Sequence, residues 1–103
     1  MIVEVGLFGI DEARTEAFEP VAQDIRAAFD RGGIAGLRFF QIAPSLEDAA
    51  RWVVLVGWDS VAAHENFVAS EEGQRQRVLL DRFMVGSSEV LHLALDDVTE
   101  GLH

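Results

Sequence analysis

Residues 52 to 58, WVVLVGW, restrict what this chain can fold into more than any other stretch. The run is too short for a stable helix, and its β-branched and aromatic content marks it as a strand. Side chains on a strand alternate between faces, so Trp52, Val54, Val56 and Trp58 fall on one side and Val53, Leu55 and Gly57 on the other. Neither set contains a polar residue. Residues 89 to 95 (EVLHLAL) repeat the pattern, with Leu91, Leu93 and Leu95 opposite Val90, His92 and Ala94. A sheet made from such strands needs apolar cover on both faces.

The remaining elements follow from periodicity. Residues 2 to 10 (IVEVGLFGI) predict a first strand, with Gly6 and Gly9 as sites for a bulge or a close backbone approach. Phe18, Val21, Ile25, Ala28 and Phe29 recur at helical spacing. Pro20 inside that stripe predicts a late helix start or a kink near Glu16, and Arg31-Gly32-Gly33 is a stop signal. Residues 34 to 42 (IAGLRFFQI) read as a second strand, and Pro44 to Asp48 as a turn. Asp59-Ser60 offers a cap for a helix running to about Ala69. Ser70 caps a further helical stretch with Val78, Leu79 and Phe83 on one face, ended by Gly86-Ser87-Ser88. The acidic tail from about Asp96 to His103 reads as loose or as a short edge extension.

The order is βαββαβ, an α+β arrangement of ferredoxin-like topology: a four-stranded antiparallel sheet with helices on one face, in a single domain over residues 1–103. One helical layer leaves the other sheet face bare, and an apolar patch of several hundred Å2 is more than soluble monomers usually expose. With 103 residues the chain has no second sheet of its own, so the expected cover is another copy.

Charge narrows the partners. Eighteen acidic residues against eight basic ones, all arginine, give a net charge of −10. Such a surface repels phosphates and anionic lipid, which argues against nucleic acid and membrane as partners. There is no cysteine, so no disulfide or thiolate-held metal. No apolar run approaches the roughly 20 residues of a membrane-spanning helix. Met1 to Val5 reads as strand and lacks a basic leader segment, so the cytoplasm is the expected location.

Trp58-Asp59-Ser60 at the end of the third strand, followed by Ala63, Phe67 and Ser70 along the next helix, resembles the dimeric α/β-barrel superfamily and, within it, the antibiotic-biosynthesis-monooxygenase-like group. The element order extends the resemblance over nearly the whole chain. It implies a homodimer, a pocket between sheet and helices for a small hydrophobic or planar molecule, and in some members oxygenation without a cofactor through a substrate carbanion. Other members degrade haem, isomerise or cyclise. The haem-degrading pattern does not carry over: where it has an asparagine, a tryptophan and a histidine, this chain has Leu7, Phe67 and Arg77. The absence of tyrosine breaks the residue set of the quinone-forming oxygenases as well.

His64 is the first candidate for chemistry. Counting from Ser60, it shares a face with Val61 and Val68 and should look toward the sheet, where an imidazole can act as general base. The alternative is a histidine packed at the helix–sheet seam. His92, among aliphatics in the last strand, either lines the pocket, meets its symmetry mate or is held structurally. Arg38 interrupts an apolar strand and either pairs with a carboxylate or polarises a substrate oxygen. Trp52, Trp58, Phe39, Phe40, Phe67 and Phe83 supply flat surface for a ligand, or simply core. Arg75 could reach inward but reads better as a solvated helix edge. The spacing of His64, His92 and His103 matches no metal motif, and no phosphate loop or flavin motif is present, so no metal and no cofactor are expected. The reading is a cofactor-independent monooxygenase with His64 as base and Arg38 or His92 polarising an oxygen. A non-catalytic ligand-binding or structural dimer, and an isomerase or cyclase using the same pocket, are its rivals.

Overall fold

The structure, a computed structural model, describes residues 1–96. Strand β1 (Ile2–Ile10) leads through a single 3-10 turn (Glu12–Arg14) into helix α1 (Thr15–Asp30), then β2 (Leu37–Pro44), β3 (Arg51–Trp58), α2 (Val61–Ala69), α3 (Glu71–Asp81) and β4 (Met84–Ala94). The strands form one antiparallel sheet in the order β2-β3-β1-β4, so β1 and β3 are central. This is the α+β, ferredoxin-like arrangement expected, with the second helical segment split in two at Ser70. The tail expected from Asp96 onward, with His103, lies outside the described residues after Asp96 itself.

Capping fixes the helices. The Ser60 hydroxyl accepts from the Ala63 amide (3.1 Å) and starts α2; the Ser70 hydroxyl accepts from the Gly73 amide (3.1 Å) and starts α3. The joint between the two is close: a Cβ at Gly73 would collide with the Phe67 carbonyl oxygen. In α1, Pro20 falls in the second turn and removes the amide that would bond the Glu16 carbonyl, at a place where both residues face water.

Register assigns the faces. Ile2, Glu4, Phe8 and Ile10 of β1 look toward the helices, as do Phe40 and Ile42 of β2 and Trp52, Val54, Val56 and Trp58 of β3. Two joined clusters fill this side, one around Phe18 and Trp52, the other around Ile25, Phe29, Val56 and Trp58. The helix-free side carries Val3, Val5 and Leu7, flanked by Val53 and Leu55 on β3, Phe39 and Ala43 on β2, and Leu91 and Leu93 on β4. It is apolar, as the alternation in residues 52 to 58 required.

Three expected boundaries move. Strand β2 starts at Leu37, not Ile34, because Gly36 has φ +80° and the Leu37 amide bonds the Ile34 carbonyl (3.2 Å), closing a turn. Gly86-Ser87-Ser88 does not end a helix. Helix α3 stops at Asp81, and the triplet lies inside β4 as a bulge: Leu7 pairs with Glu89 but Gly9 with Val85, and Gly86 takes φ +70°. A helix stop and a bulge both want a glycine at positive φ, so the same residues fit either. The inward residues of α3 are Gln76 and Leu80; Val78 is half exposed, and Phe83 is buried from beyond the helix end.

Candidate functional site

The Ser60 cap sets the phase of α2, and one turn later His64 points at the sheet. Its Nε2 stands 3.3 Å from Oε1 of Glu4, with the side chains only 17% and 24% exposed. Glu4 is the lone carboxylate of an otherwise apolar central strand, and its neighbours across the sheet are Val56 on β3 and His92 on β4. His92 therefore shares the helix-covered side with Glu4, and its ring centroid lies 5.1 Å from that of His64. One donor atom from each of Glu4, His64 and His92 lies within 4.8 Å of the other two.

His64 and Glu4 also line a partly open pocket of about 130 Å3 between the sheet and the helices. Its aromatic wall is continuous: Trp58 and Phe67 lie 5.5 Å apart, Phe67 and Phe29 5.2 Å, and Phe29 stacks on Phe40 at 3.9 Å. A space of this size takes a guest of about one ring. On its other side His64 faces an open cleft of about 440 Å3 that also touches Val61, Glu65 and His92. The imidazole thus stands between an apolar chamber and a wider, open approach.

Two residues add polar groups to the chamber wall, Trp58, which was expected there, and Gln76, which was not. Trp58 is 1% exposed, and its indole N–H is buried with no hydrogen-bond partner. Such a donor is costly to leave unmade, and the indole N–H of Trp52 in the other cluster is buried without a partner as well. Gln76, 7% exposed, also lines the chamber and donates to Oε2 of Glu72 (2.9 Å). Glu72 in turn takes two bonds from Arg75 (3.0 and 2.6 Å), whose remaining arm reaches Oδ2 of Asp24 on α1 (2.6 Å). Those Arg75 bonds, aided by Gln76 and opposed by partial burial, hold the Glu72 carboxyl below its ordinary range. The guanidinium of Arg75 is raised above its ordinary value, first by Glu72 and then by Asp24.

The structure brings together His64, His92, Trp58 and Phe67 among the residues singled out from the sequence. The rest lie elsewhere. Arg38 bonds Asp59 (3.2 Å) on the exposed rim and does not line the chamber. Phe39 sits on the helix-free face, its ring across Gly57, because β-alternation sends Phe40 inward in its place. Trp52 and Phe83 pack around Phe18 in the other cluster, and the Arg14 guanidinium lies 4.1 Å above the Phe83 ring. Leu7 is on the helix-free face and Arg77 pairs with Asp81 at 3.7 Å, so neither reaches the chamber. Glu4 and Gln76 were missed. A single acid at an inward position of residues 2 to 10 was the one readable sign of Glu4.

The family model for antibiotic biosynthesis monooxygenase matches residues 1–76. Among solved structures, one described as an antibiotic biosynthesis monooxygenase superposes with a TM-score of 0.82 at 14% identity, covering 93% of this chain and 99% of the other. A provisionally assigned antibiotic biosynthesis monooxygenase from Bordetella bronchiseptica gives 0.76 at 24% identity over 92% and 96%. Rv0793 from Mycobacterium tuberculosis gives 0.79 at 15% identity over 95% and 98%. At these identities the structures attest the fold. No curated protein sequence matches the chain.

Proposed function

The chain belongs to the antibiotic biosynthesis monooxygenase family, and from that premise we propose that it is a cofactor-independent oxygenase of a small planar phenol or enol, working as a homodimer. One observation carries the reading. A histidine paired with a carboxylate lines an aromatic chamber that Trp58, whose indole N–H is buried without an acceptor, also lines. In this reading Trp58 donates to the substrate's phenolic or carbonyl oxygen and so orients the ring. His64 takes the proton of the phenolic or enolic O–H, leaving an anion with carbanion character at the conjugated carbon, and Glu4 stabilises the imidazolium that forms, as a carboxylate does behind a catalytic histidine. The carbanion adds dioxygen to give a peroxide anion, which recovers the proton from His64. The hydroperoxide then loses water across its C–H and O–O bonds. The O–H and the conjugated C–H of the substrate, with O2, become two carbonyls and one water. The apolar wall keeps bulk water from the carbanion. His92 stands at the mouth beside His64, and Arg38, held by Asp59, has no part in the step.

A panel of quinols and polyketide-like phenols, followed for oxygen uptake and for saturable binding, tests this. The expected outcome is uptake with at least one member, and a fall of about 100-fold or more in kcat for His64→Ala with the fold retained, the scale of a lost general base. Binding without uptake by any member, or turnover unchanged in the variant, removes the oxygenase assignment. Product formation without oxygen loss moves the protein to the isomerase or cyclase class.

A further inference from the structure

Glu4, His64 and His92 come from three elements: a central strand, the edge strand beside it and the helix above. Ladder register sets Glu4 and His92 side by side on one face, and the Ser60 cap brings His64 down over them. From this convergence we propose that the three side chains form a binding site for a first-row divalent transition metal, zinc or a close relative. Two imidazoles and one carboxylate are the donor set of open zinc and non-haem metal sites, three protein ligands with the remaining positions left for water or an anion.

The spacing agrees. Donors around a tetrahedral zinc at 2.0–2.1 Å stand about 3.3 Å apart, and Nε2 of His64 and Oε1 of Glu4 are at 3.3 Å. The His92 donor lies within 4.8 Å of both, on an exposed side chain whose torsions are free to close the gap. Among the described residues the His92 imidazole has no hydrogen bond, and its ring lies 5.1 Å from that of His64. The cleft on the solvent side provides an entrance, with Glu65 on its wall, and a chain of charge −10 draws cations toward it. The site was invisible to spacing rules because its ligands stand 28 and 60 positions apart and meet only through strand pairing.

The proposal goes beyond the oxygenase reading and does not depend on it. A metal on Nε2 of His64 would take up the Glu4 carboxylate that stabilises the imidazolium in the proton-transfer step, so loaded protein should turn over less. The test reads the metal itself. Tag-free protein stripped with chelator is titrated with Zn2+ by calorimetry and with Co2+ by visible absorption. One equivalent should bind, with cobalt bands of a low-coordinate nitrogen–oxygen site. Glu4→Gln and His92→Ala should each weaken binding by at least about tenfold with unchanged far-UV circular dichroism. His92 is exposed, so its loss leaves the core untouched even if a Glu4 variant folds poorly. No saturable binding, or binding that His92→Ala leaves unaltered, overturns the site.

Discussion

At the scale of the residue, Trp58 separates a binding chamber from a filled core. Its ring packs against Phe67 and His64, and its N–H has no acceptor. Replacing it with phenylalanine removes packed volume, which destabilises, and also removes an orphaned donor, which stabilises by about 1–3 kcal/mol. The two effects oppose, so Trp58→Phe should shift the stability of the free protein by no more than about 1 kcal/mol. Affinity for a phenolic ligand should fall about tenfold, the worth of one hydrogen bond. Denaturant titrations with and without the best-binding phenol measure both numbers. A large loss of stability with unchanged affinity would make the tryptophan an ordinary core residue. His64, Trp58 and Phe67 were legible in the sequence because a serine cap fixes helical phase and a strand end fixes the ring beside it. Phe39 and Phe40 could not be told apart until register was known, since one step along a strand exchanges faces. Gln76 was unreadable in a helix half of whose other residues are charged.

At the scale of the element, the long strands and both serine caps could be read directly, because each rests on a local rule. The start of β2 and the bulge in β4 could not, since glycine at positive φ serves turns, helix ends and bulges alike. The clasp joining α1 to α3 was also hidden: Arg75 was read as a solvated helix edge, and it ties Glu72 on its own helix to Asp24 on α1 across 51 positions. Because the Glu72 carboxyl titrates below its ordinary value in the folded state, the protein gains stability above that ordinary value, about 4.5. That gain is lost as pH falls through the lowered folded value. Arg75 is 41% exposed, so screening limits the contribution to about 0.5–1 kcal/mol. Arg75→Ala should cost that much at neutral pH and progressively less below about pH 4.5. Urea unfolding of both proteins at a series of pH values checks the convergence. Parallel curves at all pH values would show that the guanidinium acts only through packing.

At the scale of the whole molecule, the central question is what covers the helix-free face. Leu91 and Leu93 are 56% and 44% exposed and Phe39 37% exposed, all on the side opposite the helices. Together with Val5, Leu7, Val53 and Leu55 they make a continuous apolar surface. A stable protein–protein contact buries about 800 Å2 per partner, and a second copy offers a face of matching size and chemistry about a twofold axis. Charge opposes the pairing, because two chains of −10 repel. Association must therefore be driven by apolar burial, and added salt should tighten it by screening the repulsion. Leu91→Glu puts a carboxylate where water already reaches in the single chain, so the subunit should keep its fold, yet the charge would be buried in the pair. Analytical ultracentrifugation should give a dimer for the wild type at micromolar concentration, tightened by salt, and a single chain for the variant, with matching circular dichroism. A wild type that sediments as one chain, or a variant that still pairs, would mean that this greasy face is closed in some other way. The chamber and the Glu4–His64 pair lie on the far side of the sheet, so that result would leave the chemistry proposed for them to be judged by its own experiments.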